Sequence, residues 1–311
     1  MKSVILTGGT GLIGNAILRE LISQKKKVLM ASSTKGLISQ HPLLSIVPFH
    51  LSEPKLKKDL LMEMQKCEGV IHCAAIRPSS RKPMEMAKLY ADNVAGSANL
   101  MAAAIEFDVP SFIYLSGVNL FSSDMTLLEE SAPPKPRDLY LLAKWVGEQT
   151  SNLLNSKSNT SFLNLRVSAP YGPNWKNKAV IPLFLEKALK NEPITLMGTG
   201  KREQVFTYVD DIANATLLSL QKKLSGTYNI AGNQTLNMQQ LASAVIKAVP
   251  KTKSKIIYTG QADPNEDQKR IVPIIKFKNE CGWEPATSLI EGVQKMVREM
   301  KSPPTPFYSK N

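Results

Sequence analysis

Glycines crowd the start of the chain, directly after a short apolar run. Residues 7–14 read TGGTGLIG and follow residues 4–6, a run typical of a buried strand. Apolar residues then recur at helical spacing over 12–22. Glycines at this spacing permit a tight turn, close approach of the backbone to a pyrophosphate, and close helix–sheet packing. The pattern predicts a dinucleotide-binding turn at Gly8, Gly11, Leu12, Ile13 and Gly14; the alternative is a tight turn without a ligand.

Strands and helices alternate through the first half of the chain. Long helical patterns cover 84–106 and 138–155, and further apolar runs typical of strands lie at 28–31, 44–47, 69–74, 112–115 and 162–165. This alternation predicts an α/β fold with a doubly wound parallel sheet, the Rossmann arrangement.

The alternation of strand and helix patterns ends after Ser168, where prolines and glycines become frequent. We expect a Rossmann domain built from 1–168 plus about 208–232. A smaller C-terminal substrate-binding lobe would take about 169–207 plus 233–300, and residues 301–311 would form a mobile tail.

The second predicted strand ends in small hydroxyl residues and a lysine. An acidic residue at this place usually binds the ribose 2′-hydroxyl of NAD. Here the chain carries Ser32, Ser33 and Lys35 and no carboxylate, which leaves room for a 2′-phosphate. The sequence therefore favours NADP over NAD, with an ordinary surface lysine at Lys35 as the alternative.

Tyr140 is the one tyrosine with a lysine four residues later, Lys144. Residues i and i+4 share a helix face. An ammonium near a phenol favours the phenolate and lowers its pKa, so that Tyr140 could exchange a proton with a substrate oxygen. The pair predicts a catalytic acid/base; the alternative is a helix with an incidental tyrosine.

Composition restricts which other classes of protein the chain could belong to. The net charge is +13, but basic residues are scattered without interleaved aromatics, so the chain is not predicted to bind nucleic acid. No stretch resembles a signal peptide or a membrane span. Three cysteines, without zinc spacing to histidines, fit a reducing cytoplasm and indicate no metal site.

Several motifs together resemble the extended short-chain dehydrogenase/reductase family, the NAD-dependent epimerase/dehydratase group. They are the glycine turn, the Tyr140/Lys144 pair, and the segments at 72–75, 93–100, 165–166, 170–173, 198–200, 209–211 and 282–285. The resemblance covers nearly the whole chain. It implies a cleft between the two domains, nucleotide-diphosphate sugars as common substrates, and a homodimer formed by the helices at 84–106 and 138–155.

The resemblance also implies further contacts to the cofactor. Residues at matching positions are His50, Leu51, Cys73, Ala74, Ala75, Asn93, Tyr140, Lys144 and Ser168. His50 stands where the family has an adenine-contacting aspartate, and a surface histidine is the alternative.

The catalytic hydroxyl of the family is displaced. Counted back from Phe121, the family's Ser/Thr position falls on Gly117, and Ser116 lies one residue earlier. We hypothesise that Ser116 replaces it through a local shift of the loop; the alternative is a structural Ser116, with Tyr140 acting without it.

The family's usual diphosphate clamp is incomplete. Ala169 occupies the position of a family asparagine, and Gln204 that of a family arginine, with Arg202 nearby. Arg270 is the nearest candidate for a second family arginine. An arginine fork suits phosphate better than a glutamine does.

Three functions stay open. The first is an NAD(P)-dependent epimerase, dehydratase or reductase acting on a nucleotide-diphosphate sugar. The second is an NADP-dependent reductase of a non-nucleotide ketone or aldehyde. The third is a non-catalytic dinucleotide-binding regulatory protein.

Overall fold

The computed structural model describes residues 2–79, 82–173 and 179–310. Its strands are β1 Ser3–Thr7, β2 Lys27–Ser32, β3 Leu37–Ser39, β4 Leu44–Pro48, β5 Gly69–His72, β6 Ser111–Gly117, β7 Ser161–Val167, β8 Pro170–Tyr171, β9 Ile194–Leu196, β10 Glu203–Val205, β11 Thr207–Tyr208, β12 Gly226–Ile230, β13 Thr235–Asn237, β14 Ile256–Tyr258 and β15 Tyr308–Lys310. Its helices are α1 Leu12–Ser23, α2 Lys58–Met64, α3 Pro83–Glu106, α4 Leu139–Asn155, α5 Val180–Leu189, α6 Val209–Lys222, α7 Met238–Ala248, α8 Ile275–Cys281 and α9 Leu289–Lys301, with a 3₁₀ turn at Val118–Leu120.

A seven-stranded sheet forms the centre, in the order β12-β7-β6-β5-β1-β2-β4. All of its neighbouring strands are parallel. The chain runs outward from β1 in one direction through β2 and β4, and in the other from β5 to β12. The predicted doubly wound sheet is therefore confirmed, and its topological switch point lies between β1 and β5, where such folds bind ligands.

The apolar runs of the sequence are buried on both faces of this sheet. All five residues of β1 and all four of β5 are buried, because helices cover the sheet on either side. One hydrophobic cluster contains α1, α6 and the C-terminal helices, and a second contains α2, α3 and the other face of the central strands. The two long predicted helices correspond to α3 and α4.

The C-terminal elements pack beside this core. Helix α7 packs against both α5 and α9, and strands of the short sheets β14–β9 and β10–β13 also contact it. The apolar spacing over 236–248 and 286–299 is typical of amphipathic helices, and α7 and α9 occupy these stretches to within a few residues. The short strands here have no distinctive pattern.

The C-terminal tail, for which the sequence predicts mobility, contains a short strand. Tyr308–Lys310 forms strand β15, which pairs antiparallel with β3 in the connection after β2. The sequence predicted a mobile tail because of its prolines. A strand of three residues that pairs with a segment about 270 positions away produces no recognisable pattern in the local sequence.

Candidate active site

A cleft of about 580 Å³ opens at the carboxyl ends of the central strands. Its wall is built by the glycine turn after β1, the ends of β2, β4, β5 and β6, and the first turns of α4. Within residues 2–79, 82–173 and 179–310, the lining contains no aspartate or glutamate, and its cations are Arg77 and Lys144. A cleft with this charge balance favours an anionic ligand.

The glycine turn has no space for side chains. Gly8 has a φ of +70°, and a Cβ there would lie 2.7 Å from the backbone nitrogen of Ala74. A Cβ on Gly14 would overlap the carbonyl oxygen of Gly8, which accepts a hydrogen bond from the Gly11 amide. The turn thus depends on glycine to bring β1, β5 and α1 close together.

Helix α1 begins at this turn without a side-chain cap on its N-cap residue, Gly11. The first amides of a helix have no intrahelical acceptor, and together with the helix dipole they bind phosphate. Leu12, Ile13 and Gly14 supply these amides and line the cleft. The residues present therefore fit a dinucleotide pyrophosphate.

A buried histidine supports this wall from behind. The ring nitrogens of His72 lie 2.6 Å from the Thr7 hydroxyl and 3.0 Å from the Ser97 hydroxyl. Burial lowers its pKa to about 3, so the ring is neutral at physiological pH. Thr7 also accepts a hydrogen bond from the Ala74 amide, which fixes the chain where β5 enters the cleft.

At one end of the cleft lie the residues that follow β2 and β4. Ser32, Ser33, His50 and Leu51 line it there. Lys35 is exposed on the connection after β2 and is not among the lining residues.

At the other end lie Tyr140 and Lys144, in the first turns of α4. The Asp138 side chain caps this helix by accepting a hydrogen bond from the Leu141 amide at 2.8 Å. Gly147 lets α4 pack closely on the sheet, because a Cβ there would lie 2.5 Å from the Tyr114 ring. Both contacts fix where Tyr140 faces the cleft.

The buried ammonium of Lys144 donates to the Leu115 carbonyl at 2.7 Å and lies 4.6 Å from the centroid of the Tyr114 ring. Burial lowers its pKa to about 8, although Cys73 and Glu148 oppose the shift.

The expected source of phenolate stabilisation is not the one found. Burial raises the pKa of Tyr140, and the opposing influence is the charge and hydrogen bond of Arg77 rather than Lys144. Arg77 follows β5, so the cation beside the phenol comes from the far side of the cleft.

Ser116 and Gly117 end β6 in the cleft wall. Ser116 is 9% exposed, and its hydroxyl oxygen has no hydrogen-bond partner. A buried hydroxyl without a partner is costly unless a ligand completes it. Gly117 is extended (φ −155°), and a Cβ there would meet only the Val167 carbonyl, at 3.5 Å.

Two predicted cofactor contacts lie behind the wall instead. Asn93 is buried and exchanges hydrogen bonds of 2.8 and 2.9 Å with the backbone of Ile76, so it holds the loop that carries Arg77. Ser168 donates to the Val205 carbonyl and accepts at its own carbonyl from Thr207. Neither side chain is among the lining residues.

Three of the four predicted substrate residues lie outside the lining. Gln204 is on β10, and Arg202 lies 3.5 Å from the Asp263 carboxylate. Arg270 is buried and donates to the carbonyls of residues 122 and 125. Ala169 does line the cleft, next to Pro170.

Among the lining residues that sequence reasoning missed are Thr10, Ile76, Arg77 and Asn119. Arg77 had a signal, since it is a cation five residues after a strand at the switch point. Asn119 lies in a 3₁₀ turn that the sequence did not predict.

Among residues 2–79, 82–173 and 179–310, no group of three or more potential ligands could hold a metal ion. Within these ranges, no helix is long and apolar enough to cross a membrane.

A parallel sheet with a glycine turn at its switch point, and a Tyr/Lys pair facing the same cleft, defines the class of Rossmann-type dinucleotide-dependent enzymes. The chain belongs to the NAD dependent epimerase/dehydratase family, whose model matches residues 4–231. The resemblance drawn from the motifs is thus confirmed.

Relatives match over almost their whole length. The chain is 28% identical to the putative UDP-glucose 4-epimerase of Methanocaldococcus jannaschii, covering 96% of this chain and 98% of the relative. The solved UDP-N-acetylglucosamine 4-epimerase of Methanobrevibacter ruminantium M1 has a TM-score of 0.83 at 23% identity, covering 97% and 98%. UDP-glucuronic acid 4-epimerase of Bacillus cereus, solved with UDP-glucuronic acid and NAD, has a TM-score of 0.82 at 21% identity, covering 97% and 99%. These two structures share the fold.

Proposed function

We propose that this protein binds NAD(P) and transforms a nucleotide-diphosphate sugar by reversible hydride transfer, with Tyr140 as the acid/base. The observation that carries the proposal is the position of Tyr140 and Lys144 in the same cleft as the glycine turn. The relatives add support, because those named above are epimerases of UDP-sugars.

Tyr140 accepts and returns the proton of the reacting hydroxyl. As a sugar hydroxyl is oxidised to a ketone, its proton passes to the Tyr140 oxygen; in the reverse step Tyr140 returns it. A bound NAD(P) would supply the acceptor and donor for the hydride at the same carbon. The Ser116 hydroxyl, which has no protein partner, can bond the reacting oxygen. Arg77 favours the phenolate of Tyr140.

Of the two roles expected of Lys144, contact to the cofactor fits its surroundings better than activation of Tyr140. Its ammonium is already bonded to the Leu115 carbonyl and has two further N–H donors. We assign it to holding the cofactor ribose, as the family resemblance implies.

We propose NADP as the preferred cofactor. The support is chemical: the part of the cleft lining that the structure describes includes Ser32 and Ser33 and no carboxylate that would repel a 2′-phosphate. Lys35 lies two residues after Ser33 and is exposed.

We also propose a homodimer formed through α3 and α4, which pack against each other. Two apolar side chains on these helices are exposed, Met84 (81%) and Leu153 (55%). The indole nitrogen of Trp145 on α4 is buried without a partner. We infer a reducing compartment such as the cytoplasm, since Cys67, Cys73 and Cys281 are all free thiols.

The experiment measures thermal stability with NAD, NADP, their reduced forms, and a panel of UDP-, dTDP- and GDP-sugars. A ligand that binds only the folded state raises the midpoint. We expect a shift with a dinucleotide and a further shift with one sugar nucleotide, whose product is then identified by NMR. Tyr140→Phe should keep both shifts and lose turnover. No shift with any dinucleotide, after prebound cofactor is removed, would refute the proposal.

A second candidate is an NADP-dependent reductase of a non-nucleotide ketone or aldehyde. It is favoured by the two arginines that could have clamped a diphosphate, since Arg202 is near Asp263 and Arg270 is bonded to backbone carbonyls. A shift with NADPH and with none of the sugar nucleotides would support it.

A further inference from the structure

We infer that the C-terminal strand β15 is a positioning element of the cofactor site, because it holds the connection between β2 and β4 against the end of the cleft formed by Ser32 and Ser33. The inference rests on the proposed binding of a dinucleotide. It concerns residues 307–310, which the cleft does not include.

The connection from residue 33 to residue 43 begins inside the cleft and ends outside it. Ser33 lines the cleft, and β3 follows at Leu37–Ser39. Among the described residues, β15 is the only strand that pairs with β3. The backbone of this connection therefore takes its strand pairing from the tail, not from the central sheet.

The pairing continues beyond the strand itself. The Gln40 amide donates to the Phe307 carbonyl at 2.8 Å, and its side chain donates to the Ser309 hydroxyl at 2.9 Å. The rings of His41 and Phe307 meet edge to face, with centroids 5.4 Å apart. The tail thus contacts residues 40 and 41 of the connection through a backbone hydrogen bond, a side-chain amide and an aromatic ring.

The tail is also bonded to helix α1, whose first residues line the cleft. The Asn15 side chain donates to the Tyr308 hydroxyl at 3.3 Å. Asn15 lies one residue after Gly14 of the phosphate-binding turn, and Phe307 and Tyr308 pack against the main hydrophobic cluster. One short segment therefore links α1 to the connection that begins at Ser33.

This arrangement affects affinity through the order of the connection. A ligand that needs an ordered loop binds more weakly in proportion to the fraction of molecules in which the loop is ordered. If loss of the tail reduces that fraction to about one tenth, the dissociation constant rises about tenfold. The loss falls on the adenosine half of the cofactor, because that half would contact Ser32 and Ser33.

The test uses three variants: a chain ending at Lys301, Phe307→Ala and Asn15→Ala. Hydrogen exchange of residues 33–41 is measured without ligand, and calorimetry gives the affinity for ADP-ribose and for its 2′-phosphate. We expect faster exchange in that segment in every variant. The truncated chain should bind the preferred ligand about tenfold more weakly, and the point variants should fall between it and the wild type.

Tyr258→Ala is the matched control, since Tyr258 is an exposed aromatic on the short strand β14 and does not line the cleft. It should change neither exchange at 33–41 nor affinity. Unchanged exchange or unchanged affinity in the truncated chain would overturn the inference while leaving the proposed function intact. A wild-type chain that bound neither adenosine ligand would instead refute the proposed function, and the inference with it.

Discussion

Helix α4, which carries Tyr140, is anchored by a buried ion pair. The Arg166 guanidinium on β7 donates to the Glu148 carboxylate through three contacts of 2.7, 3.0 and 3.1 Å. The two side chains are 5% and 0% exposed. Arg166 also donates to the Glu130 carbonyl at 3.0 Å and lies 5.1 Å from the centroid of the Phe121 ring. One side chain therefore joins α4, β7 and the loop before α4.

Glu148→Gln removes the negative charge and keeps the shape. It leaves the Arg166 charge buried without its counter-ion, a change that typically costs about 3–5 kcal/mol. With a urea slope of about 3 kcal/mol per molar, the unfolding midpoint should fall by roughly 1 M or more. Urea denaturation followed by circular dichroism measures this directly.

A double variant separates the interaction energy of the Glu148–Arg166 pair from the effects of the two single substitutions. Glu148→Met combined with Arg166→Met removes both charges, so it should destabilise by less than the two single changes added together. Glu186→Gln in the exposed pair of Glu186 and Lys190 on α5 is the control and should cost about 0.5 kcal/mol or less. The reasoning is refuted if Glu148→Gln costs under about 1 kcal/mol, or if the single effects are additive.

Three further predictions concern the cleft. Arg77→Gln should raise the pKa of Tyr140, because it removes the cation that opposes burial; the rising limb of the oxidation rate against pH should then move to higher pH, and an unmoved limb would exclude this role. Gly14→Ala should abolish dinucleotide binding in the thermal-shift assay, because its Cβ overlaps the turn; a normal shift would contradict the geometry. Ser116→Ala should lower turnover by about 10²-fold if its free hydroxyl bonds the reacting oxygen. Adding Gly117→Ser to that variant should restore part of the turnover, because position 117 has room for a side chain. Unchanged turnover in Ser116→Ala would make that serine structural.

The fold could be predicted because its signals are local. A parallel strand covered on both faces is a continuous apolar run, as in β1 and β5, and the alternation of such runs with helices restricts the topology. The glycine turn and the Tyr140/Lys144 spacing are local as well. Each depends on residues within one element or at one junction, which is where sequence patterns carry information.

The remainder of the site depends on contacts between distant segments. Nothing near Asn93 indicates that its amide bonds the Ile76 backbone instead of a ligand. The approach of Arg77 to Tyr140 joins residues 63 positions apart on different strand–helix units. Arg202 and Arg270 had the right chemistry for phosphate, but the structure engages them elsewhere.

The electrostatics of the cleft connect these observations. Of the two cations that the described residues contribute to its lining, Lys144 is buried and bonded to a carbonyl, whereas Arg77 is exposed and is the one that favours the Tyr140 phenolate. An exposed cation is available to a negatively charged substrate as well as to the phenol. Entry of such a substrate would draw Arg77 away from Tyr140 or share it, so the acidity of the phenol would depend on what occupies the cleft. Proton transfer would then be governed by the loop that Asn93 holds, and not by the Tyr–Lys spacing alone.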